Sequence, residues 1–158
     1  MTDPAPAERL YDTLVKLFLI VNDSDRHVLA RHGLTLPRFH VLQHLHREPG
    51  ISFAQLSALM LTDRANISRI VRGMEADGLV SRRLNERDRR SYLLQLTEQG
   101  ADLYAQASAT HREDITLRFG DTGDDGGRRL SHDLLAQLGV LRNQLEEHLE
   151  MLRQPAAC

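Results

Sequence analysis

Apolar residues recur every three or four positions near both ends of the chain, which predicts a long amphipathic helix at each end. Toward the N-terminus the recurring residues are Leu10, Leu14, Leu17, Val21 and Val28. Toward the C-terminus they are Leu130, Leu134, Leu138, Leu141, Leu145, Leu149 and Leu152. His32 and Gly33 end the first helix, and a loop containing four glycines, Gly120–Gly127, precedes the last one.

The segment between these two helices predicts three shorter helices, each preceded by a residue that can cap a helix N-terminus. Thr35 precedes the first of them. Ser52 and Gln55 form a capping-box pattern ahead of the next. Thr62 or Asp63 caps the third. Pro49 and Gly50 end the first of these helices at about Glu48, and Gly78 ends the third at about Asp77. The second covers roughly Phe53–Met60.

The periodicity then changes from helical spacing to strict alternation, which predicts a β-hairpin. The alternating residues are Val80, Arg82 and Leu84 on one strand, and Tyr92, Leu94 and Leu96 on the other. A charged turn, Glu86–Arg90, joins them, and Thr97 caps a fifth helix that runs to about Phe119. The predicted fold class is therefore mainly α, with six helices and one two-stranded hairpin.

Length and composition narrow the class of protein. The 158 residues correspond to one domain at about 150 residues per domain. The single cysteine, Cys158, excludes an internal disulfide framework. No apolar run approaches the roughly 18 residues of a membrane span, and the start of the chain lacks a signal-peptide core. We expect a cytoplasmic domain with no membrane partner.

The net charge of −2 conceals an uneven distribution along the chain. The balance is −1 over residues 1–63, +4 over 64–97 and −5 over 98–158. A basic centre between acidic ends indicates one surface that faces a polyanion.

The predicted fourth helix separates an apolar face from a polar one at 100° per residue. The apolar face carries Ile67, Ile70, Val71 and Met74. The opposite face carries Ala65, Ser68, Arg69 and Arg72, with Asn66 beside it and Arg64 placed for a phosphate at the helix start. Short polar side chains and arginine on the N-terminal half of a helix can reach base edges in a major groove. The alternative is a solvated surface helix.

The tip of the hairpin favours the DNA-binding interpretation. Arg87, Arg89 and Arg90 lie there, where they do not contribute to an apolar core. Such a basic wing fits a minor groove. Together the fourth helix and the hairpin predict double-stranded DNA as the partner.

Motifs in this region resemble the MarR family of winged-helix transcription regulators. They are Gly78-Leu79-Val80-Ser81-Arg82-Arg83, then Asp88-Arg89-Arg90, then Leu96-Thr97 and Gly100. In the family pattern an Asp and an Arg two residues apart are followed, after five positions, by Leu-Thr. Asp88, Arg90, Leu96 and Thr97 match that pattern in register.

The resemblance implies one MarR-type domain over 1–158, with a winged helix-turn-helix region at 35–97 and dimerisation helices at 8–32 and 98–153. It implies that the fourth helix reads the major groove of a pseudo-palindromic operator, that Arg90 enters the minor groove, and that Asp88 shapes the wing tip. It also implies a homodimer with interlocking terminal helices.

The apolar stripes support the dimer separately, because the last helix has more apolar surface than packing within one chain requires. The alternative is a core helix of a monomer. The predicted dimerisation residues are Leu10, Leu14, Leu17, Leu134, Leu138, Leu141, Leu145 and Leu149.

A small aromatic or anionic effector is a further partner that the resemblance implies, between the dimerisation helices and the winged region. His40 and His44 stand one helical turn apart and, with His111, are the candidate pocket residues. His40 and His44 have metal-ligand spacing, but no local motif completes a metal site, and a solvated polar face is the preferred interpretation. We predict no metal site, no cofactor and no catalytic residue.

The predicted function is that of a ligand-responsive homodimeric repressor that binds a specific DNA sequence. Two alternatives remain: an architectural DNA-binding dimer without an effector, and a protein-interaction module with leucine-rich terminal helices. An enzyme is the least supported class because the chain offers no paired carboxylates, phosphate loop or nucleophile arrangement.

Overall fold

A computed structural model describes residues 5–86, 88, 91–119 and 125–153, with the backbone alone for 125–131. Its elements are α1 (Pro6–Ala30), α2 (Leu36–Arg47), β1 (Ile51–Ser52), α3 (Phe53–Leu59), α4 (Arg64–Ala76), β2 (Val80–Leu84), β3 (Tyr92–Leu96), α5 (Glu98–Phe119) and α6 (Asp125–Arg153). The chain divides into two compact units between Asp114 and Ile115. Within the described ranges no helix combines the length and apolarity needed to cross a membrane.

The hairpin is part of a sheet with one more strand than the sequence predicts. β2 and β3 pair in the antiparallel sense, as the alternation indicates, with Val80 opposite Leu96 at one end and Leu84 opposite Tyr92 at the other. β1 pairs with the other edge of β3, with Ile51 opposite Leu94, so the strand order is β1-β3-β2. Two residues are too few to show alternation, and only pairing with β3 makes them a strand.

Local hydrogen bonds explain where the central helices begin. Ser52 and Gln55 form the predicted capping box, with the Ser52 amide donating to Gln55 Oε1 at 2.8 Å. Asp63 Oδ1 accepts from the Asn66 amide at 2.7 Å, which makes Asp63 the cap of α4. Thr35 is at the N-cap position of α2, but its side chain makes no capping hydrogen bond.

The turn between α3 and α4 contains a leucine in a backbone conformation that usually requires glycine. Leu61 has a φ of +50°. The Thr62 amide donates to the Ser57 carbonyl and the Leu61 amide to the Ala58 carbonyl, which is the pattern of a Schellman motif. Leu61 therefore occupies a position that favours glycine, and its side chain is exposed.

The start of α6 corrects the predicted extent of the glycine-rich loop. Asp125 begins the helix, so Gly126 and Gly127 are helical, whereas 120–124 lie outside the described residues. Each glycine costs about 1 kcal/mol relative to alanine inside a helix. Because α6 continues for many turns, the backbone hydrogen bonds gained by extending the helix outweigh the low helix propensity of these two glycines.

The core joins α1, α2, α3, α4, the sheet and α5. Its fully buried large side chains are Leu29, Phe39, Leu42, Leu45, Ile51, Leu56, Ile67, Met74, Leu94, Val41 and Val71. Ile67, Val71 and Met74 were predicted for the apolar face of α4 and are in this set. Ile70, the fourth predicted residue, is partly buried and packs against the core. The core thereby fixes which face of α4 remains outside.

Candidate nucleic-acid interface

The outer face of α4 carries the side chains predicted to contact DNA. Arg64, Ala65, Arg69 and Arg72 are exposed, while Asn66 and Ser68 are partly buried. Because Ile67 and Val71 are buried on the opposite face, the exposed residues cannot turn inward without breaking the core. The helix therefore presents a fixed polar and basic surface.

Hydrogen bonds within α4 orient two of these side chains. Asn66 Nδ2 donates to Thr62 Oγ1 at 3.0 Å, and Arg69 donates to Asn66 Oδ1 at 2.6 Å. The Asn66 amide thus holds the Arg69 guanidinium at the helix surface. Asn66 has a positioning contact in addition to its predicted contact with DNA.

Main-chain hydrogen bonds around Asp88 close the turn of the hairpin between β2 and β3. The Asp88 amide donates to the Asn85 carbonyl at 3.2 Å, and the Ser91 amide donates to the Asp88 carbonyl at 2.9 Å. Asn85 Nδ2 donates to Ser91 Oγ at 3.1 Å. The predicted wing arginines Arg87, Arg89 and Arg90 lie outside the described residues.

Two further arginines near α4 are engaged by acids of the same helix end. Arg38 of α2 forms an ion pair with Asp77, and Arg82 of β2 places its Nε 2.7 Å from Glu75 Oε1. Neither acid was predicted to take part in the interface. The only signal for them is two acids at a helix C-terminus, where the helix dipole favours cations.

The apolar surface of α1 is wider than the predicted stripe. Leu10 and Leu17 are about half exposed and Leu14 is partly buried. Other large apolar side chains exposed on the helix are Tyr11, Val15, Phe18, Leu19 and Ile20. Full burial within the chain begins only at Val28, so most of the large apolar side chains of α1 are in contact with water.

The predicted dimerisation residues of α6 are also accessible in the single chain. Leu134, Leu138 and Leu145 are exposed, whereas Leu141 and Leu149 are partly buried. A helix whose leucines stay in water is stabilised when another surface covers them.

The histidines predicted for an effector pocket do not lie on a solvated face. His111 Nε2 is 3.1 Å from Asp25 Oδ1, and both side chains are mostly buried. The ring of Phe39 meets the His111 ring edge-on at 5.0 Å between centroids, and the His40 ring lies 6.2 Å from the same phenylalanine ring. The solvated-face interpretation is wrong for His40, which is half-buried. Asp25 was not predicted, because it is far from His111 in sequence.

Burial controls the protonation of these histidines. Burial lowers the pKa of His40. The neighbouring His44 and His111 lower this pKa further, and the negative charge of Asp25 partly offsets them. Burial also lowers the pKa of His44, with Arg47 acting in the same direction. Both imidazoles are therefore neutral at pH 7. In the part of the chain that the structure describes, no three His, Cys, Asp or Glu side chains are arranged to hold a metal ion.

An open pocket of about 490 Å³ lies between α1 and the start of α2. Apolar residues, among them Ala30, Leu34 and Leu36, form much of its wall, and Arg26 and His27 add basic groups. None of the three predicted pocket histidines lines it. The volume is in the range of small-molecule sites.

Comparison with known proteins agrees with this arrangement. A family model described as MarR family matches residues 32–91, which include α2, α3, α4 and β2. The chain is similar to the HTH-type transcriptional regulator PetP of Rhodobacter capsulatus, with 32% identity over 131 residues, 83% of this chain and 76% of PetP.

Solved structures show the same fold. A MarR transcriptional regulator from Methanosarcina mazei superposes with a TM-score of 0.72 at 25% identity, covering 88% of this chain and 98% of that one. The transcriptional repressor CouR, bound to a 23-mer DNA duplex, superposes with a TM-score of 0.70 at 24% identity, covering 87% of this chain and 99% of CouR. The protein is a DNA-binding transcription regulator and belongs to the MarR family.

Proposed function

We propose that the protein is a homodimeric repressor that binds a pseudo-palindromic operator and is released from it by a small aromatic or anionic effector. The observation that carries the proposal is the outer face of α4, where Arg69 and Arg72 stand exposed on a helix anchored by its buried face. Repression is proposed because CouR, a structural neighbour, is a repressor. Action on a chromosome places the protein in the cytoplasm.

The dimer is proposed from the exposed apolar surfaces of α1 and α6. Two such surfaces on one small chain exceed what a monomer leaves in water. A two-fold dimer presents two copies of α4, so half-site centres should be about 10 base pairs apart, one turn of B-DNA.

The dimer is tested with Leu141→Glu combined with Leu145→Glu. Two unpaired charges at an apolar interface should leave the protein monomeric or unfolded by sedimentation and circular dichroism. Glu146→Gln, an exposed position on the same helix, is the control and should remain dimeric. A folded wild-type monomer at micromolar concentration contradicts the proposal.

The division of labour between α4 and the wing is tested on the operator that the wild type selects from random duplexes. Arg69→Ala should lose about 1–3 kcal/mol on the operator and much less on scrambled DNA, since it removes a base contact. Arg90→Ala should weaken both duplexes alike and flatten the salt dependence by about one counterion, since the minor groove carries little base information.

Arg31→Ala is the charge-matched control for these variants, because Arg31 is exposed at the C-cap of α1 and belongs to neither α4 nor the hairpin. It should change neither the affinity ratio nor the salt slope. Equal loss of specificity in Arg69→Ala and Arg90→Ala contradicts the assignment of the reading face. Absence of a salt slope on any duplex indicates the protein-interaction module instead.

The effector part of the proposal is supported by the pocket between α1 and α2. Its apolar wall suits an aromatic ring and Arg26 suits a carboxylate. Benzoate is the probe: it should release the operator from the wild type, and Arg26→Gln should require more of it. Operator affinity unchanged by benzoate and by larger aromatic acids supports the architectural alternative.

A further inference from the structure

The charged residues in the last turn of α4 have the opposite sign to the one that a helix C-terminus favours. Backbone carbonyls give a helix C-terminus partial negative charge, which favours lysine or arginine there. In α4 this turn has no basic residue and instead holds Glu75, with Asp77 as the C-cap. Two acids at this end, inside a region that faces a polyanion, require a compensating interaction.

Asp77 finds that compensation in α2. The Arg38 guanidinium donates to Asp77 Oδ2 across the junction between the two helices. Three quarters of the Arg38 side chain is buried, so the guanidinium is held in place by its surroundings. An arginine in this position is less accessible to a DNA phosphate than the exposed arginines of α4.

Glu75 is engaged by the wing. Its carboxylate is mostly buried and lies 2.7 Å from Arg82 Nε on β2. The Arg82 guanidinium also lies over the ring of Tyr92 on β3, 5.6 Å from its centroid. One side chain therefore links the last turn of α4 to both strands of the hairpin.

We infer that Glu75 and Asp77, with Arg82 and Arg38, are positioning residues that set the angle of α4 relative to the wing and α2. The inference rests on the proposed function, because the angle between α4 and the wing matters only if both contact the same DNA duplex. A helix rises about 1.5 Å per residue, so the reading residues near Arg69 lie about 9–12 Å from Glu75 and Asp77. A tilt of about 10° there moves them by roughly 2 Å, which is enough to break a hydrogen bond of about 3 Å.

Removing an acid distinguishes positioning from simple electrostatics by the sign of the effect. If Glu75 and Asp77 were only surface charges, neutralising either would reduce repulsion from phosphates and tighten binding to every duplex. If they are positioning residues, neutralising either weakens binding to the operator, although the protein becomes more positive. Contacts with the scrambled duplex tolerate small tilts because they are mostly to phosphates.

The experiment measures affinity of the full-length protein for the selected operator and for a scrambled duplex at several salt concentrations. Glu75→Gln and Asp77→Asn should each lower the ratio of operator to scrambled affinity about tenfold, with scrambled affinity unchanged or raised. Glu48→Gln removes an exposed acid at the end of α2 and should leave the ratio unchanged. Glu75→Arg combined with Arg82→Glu should recover discrimination relative to either single reversal.

Each alternative outcome is decisive. Unchanged or improved discrimination in both acid variants overturns the inference, as does a charge exchange that recovers nothing. Equal loss on both duplexes together with a lower melting temperature shows a role in stability alone and also overturns it. If the wild type does not distinguish operator from scrambled DNA, the proposed function is refuted and the inference with it. If the wild type distinguishes them and the variants do so equally well, the inference alone is refuted.

Discussion

Gly100 should be one of the least replaceable residues of the fold, and Gly100→Ala is the perturbation that tests this. Gly100 is in the first turn of α5, where its amide donates to Thr97 Oγ1 at 3.0 Å and Thr97 Oγ1 in turn donates to the Gly78 carbonyl at 2.6 Å. A Cβ on Gly100 would lie 2.0 Å from the Leu79 carbonyl oxygen and 2.9 Å from its carbon. This is the point where α5 meets the turn between α4 and the wing.

The magnitude follows from the opposing atoms. Real Cβ contacts essentially never fall below 3.0 Å, so the main chain must separate by at least 1.0 Å. Overpacking in a well-packed site typically costs about 1–3 kcal/mol, and an opposing backbone cannot change rotamer to relieve it. Alanine recovers about 1 kcal/mol of helix propensity over glycine. Because the backbone cannot relieve the clash, we expect a cost in the upper part of that range, about 2–3 kcal/mol. The net loss in the free energy of unfolding is then about 1–2 kcal/mol.

Gly73→Ala is the matched control, because Gly73 is inside α4 and a Cβ there meets nothing within 4 Å. It should gain up to about 1 kcal/mol from helix propensity alone. The assay is chemical denaturation of both variants at one protein concentration, since dimerisation makes apparent stability concentration-dependent. If Gly100→Ala is as stable as wild type, the close approach of α5 to the Leu79 main chain is not a constraint on the fold.

Three other predictions concern the caps, the turn and the histidines. Asp63→Ala should cost about 1 kcal/mol because it removes the bond to the α4 N-terminus, whereas Thr35→Ala should cost under about 0.5 kcal/mol because its side chain caps nothing; equal costs in denaturation would contradict this. Leu61→Gly should stabilise the fold by about 0.5–1 kcal/mol, since glycine adopts the left-handed conformation without strain and the leucine side chain is exposed; a loss of stability would mean that the side chain packs. Burial lowers the folded-state pKa of His40 below its unfolded value of 6.5, so the unfolded chain binds the proton more tightly and stability falls as pH drops through about 6.5. His40→Gln should flatten that decline between pH 7.5 and 5 while the exposed His132→Gln leaves it unchanged; parallel curves for the His40 variant and wild type would remove His40 as its source.

Much of the fold was predictable because its signals are short-range. Ser52 with Gln55 and Asp63 with Asn66 bond within one helical turn, so the residues that specify α3 and α4 are neighbours in sequence. The hairpin is likewise specified by alternation and a polar turn.

The polar face of α4 was predictable for a related reason. The buried residues of a helix recur at a fixed angle, so locating Ile67 and Val71 inside places Arg69 and Arg72 outside. The proposed DNA-contacting surface was therefore predictable from periodicity, and the MarR pattern around Asp88 and Thr97 indicated the family.

The features that only the tertiary structure decided join residues far apart in the chain. β1 is a strand because Ile51 lies opposite Leu94, and His40 is half-buried because α1 and α5 bring other side chains against α2. Glu75 and Asp77 look like ordinary solvated charges until α2 and β2 bring arginines to them. Periodicity describes one element at a time, whereas contacts between elements depend on how the packed core orients them. The sequence by itself determined the elements, their faces and the family; their mutual positions, and so the neighbours of each polar group, were decided by packing.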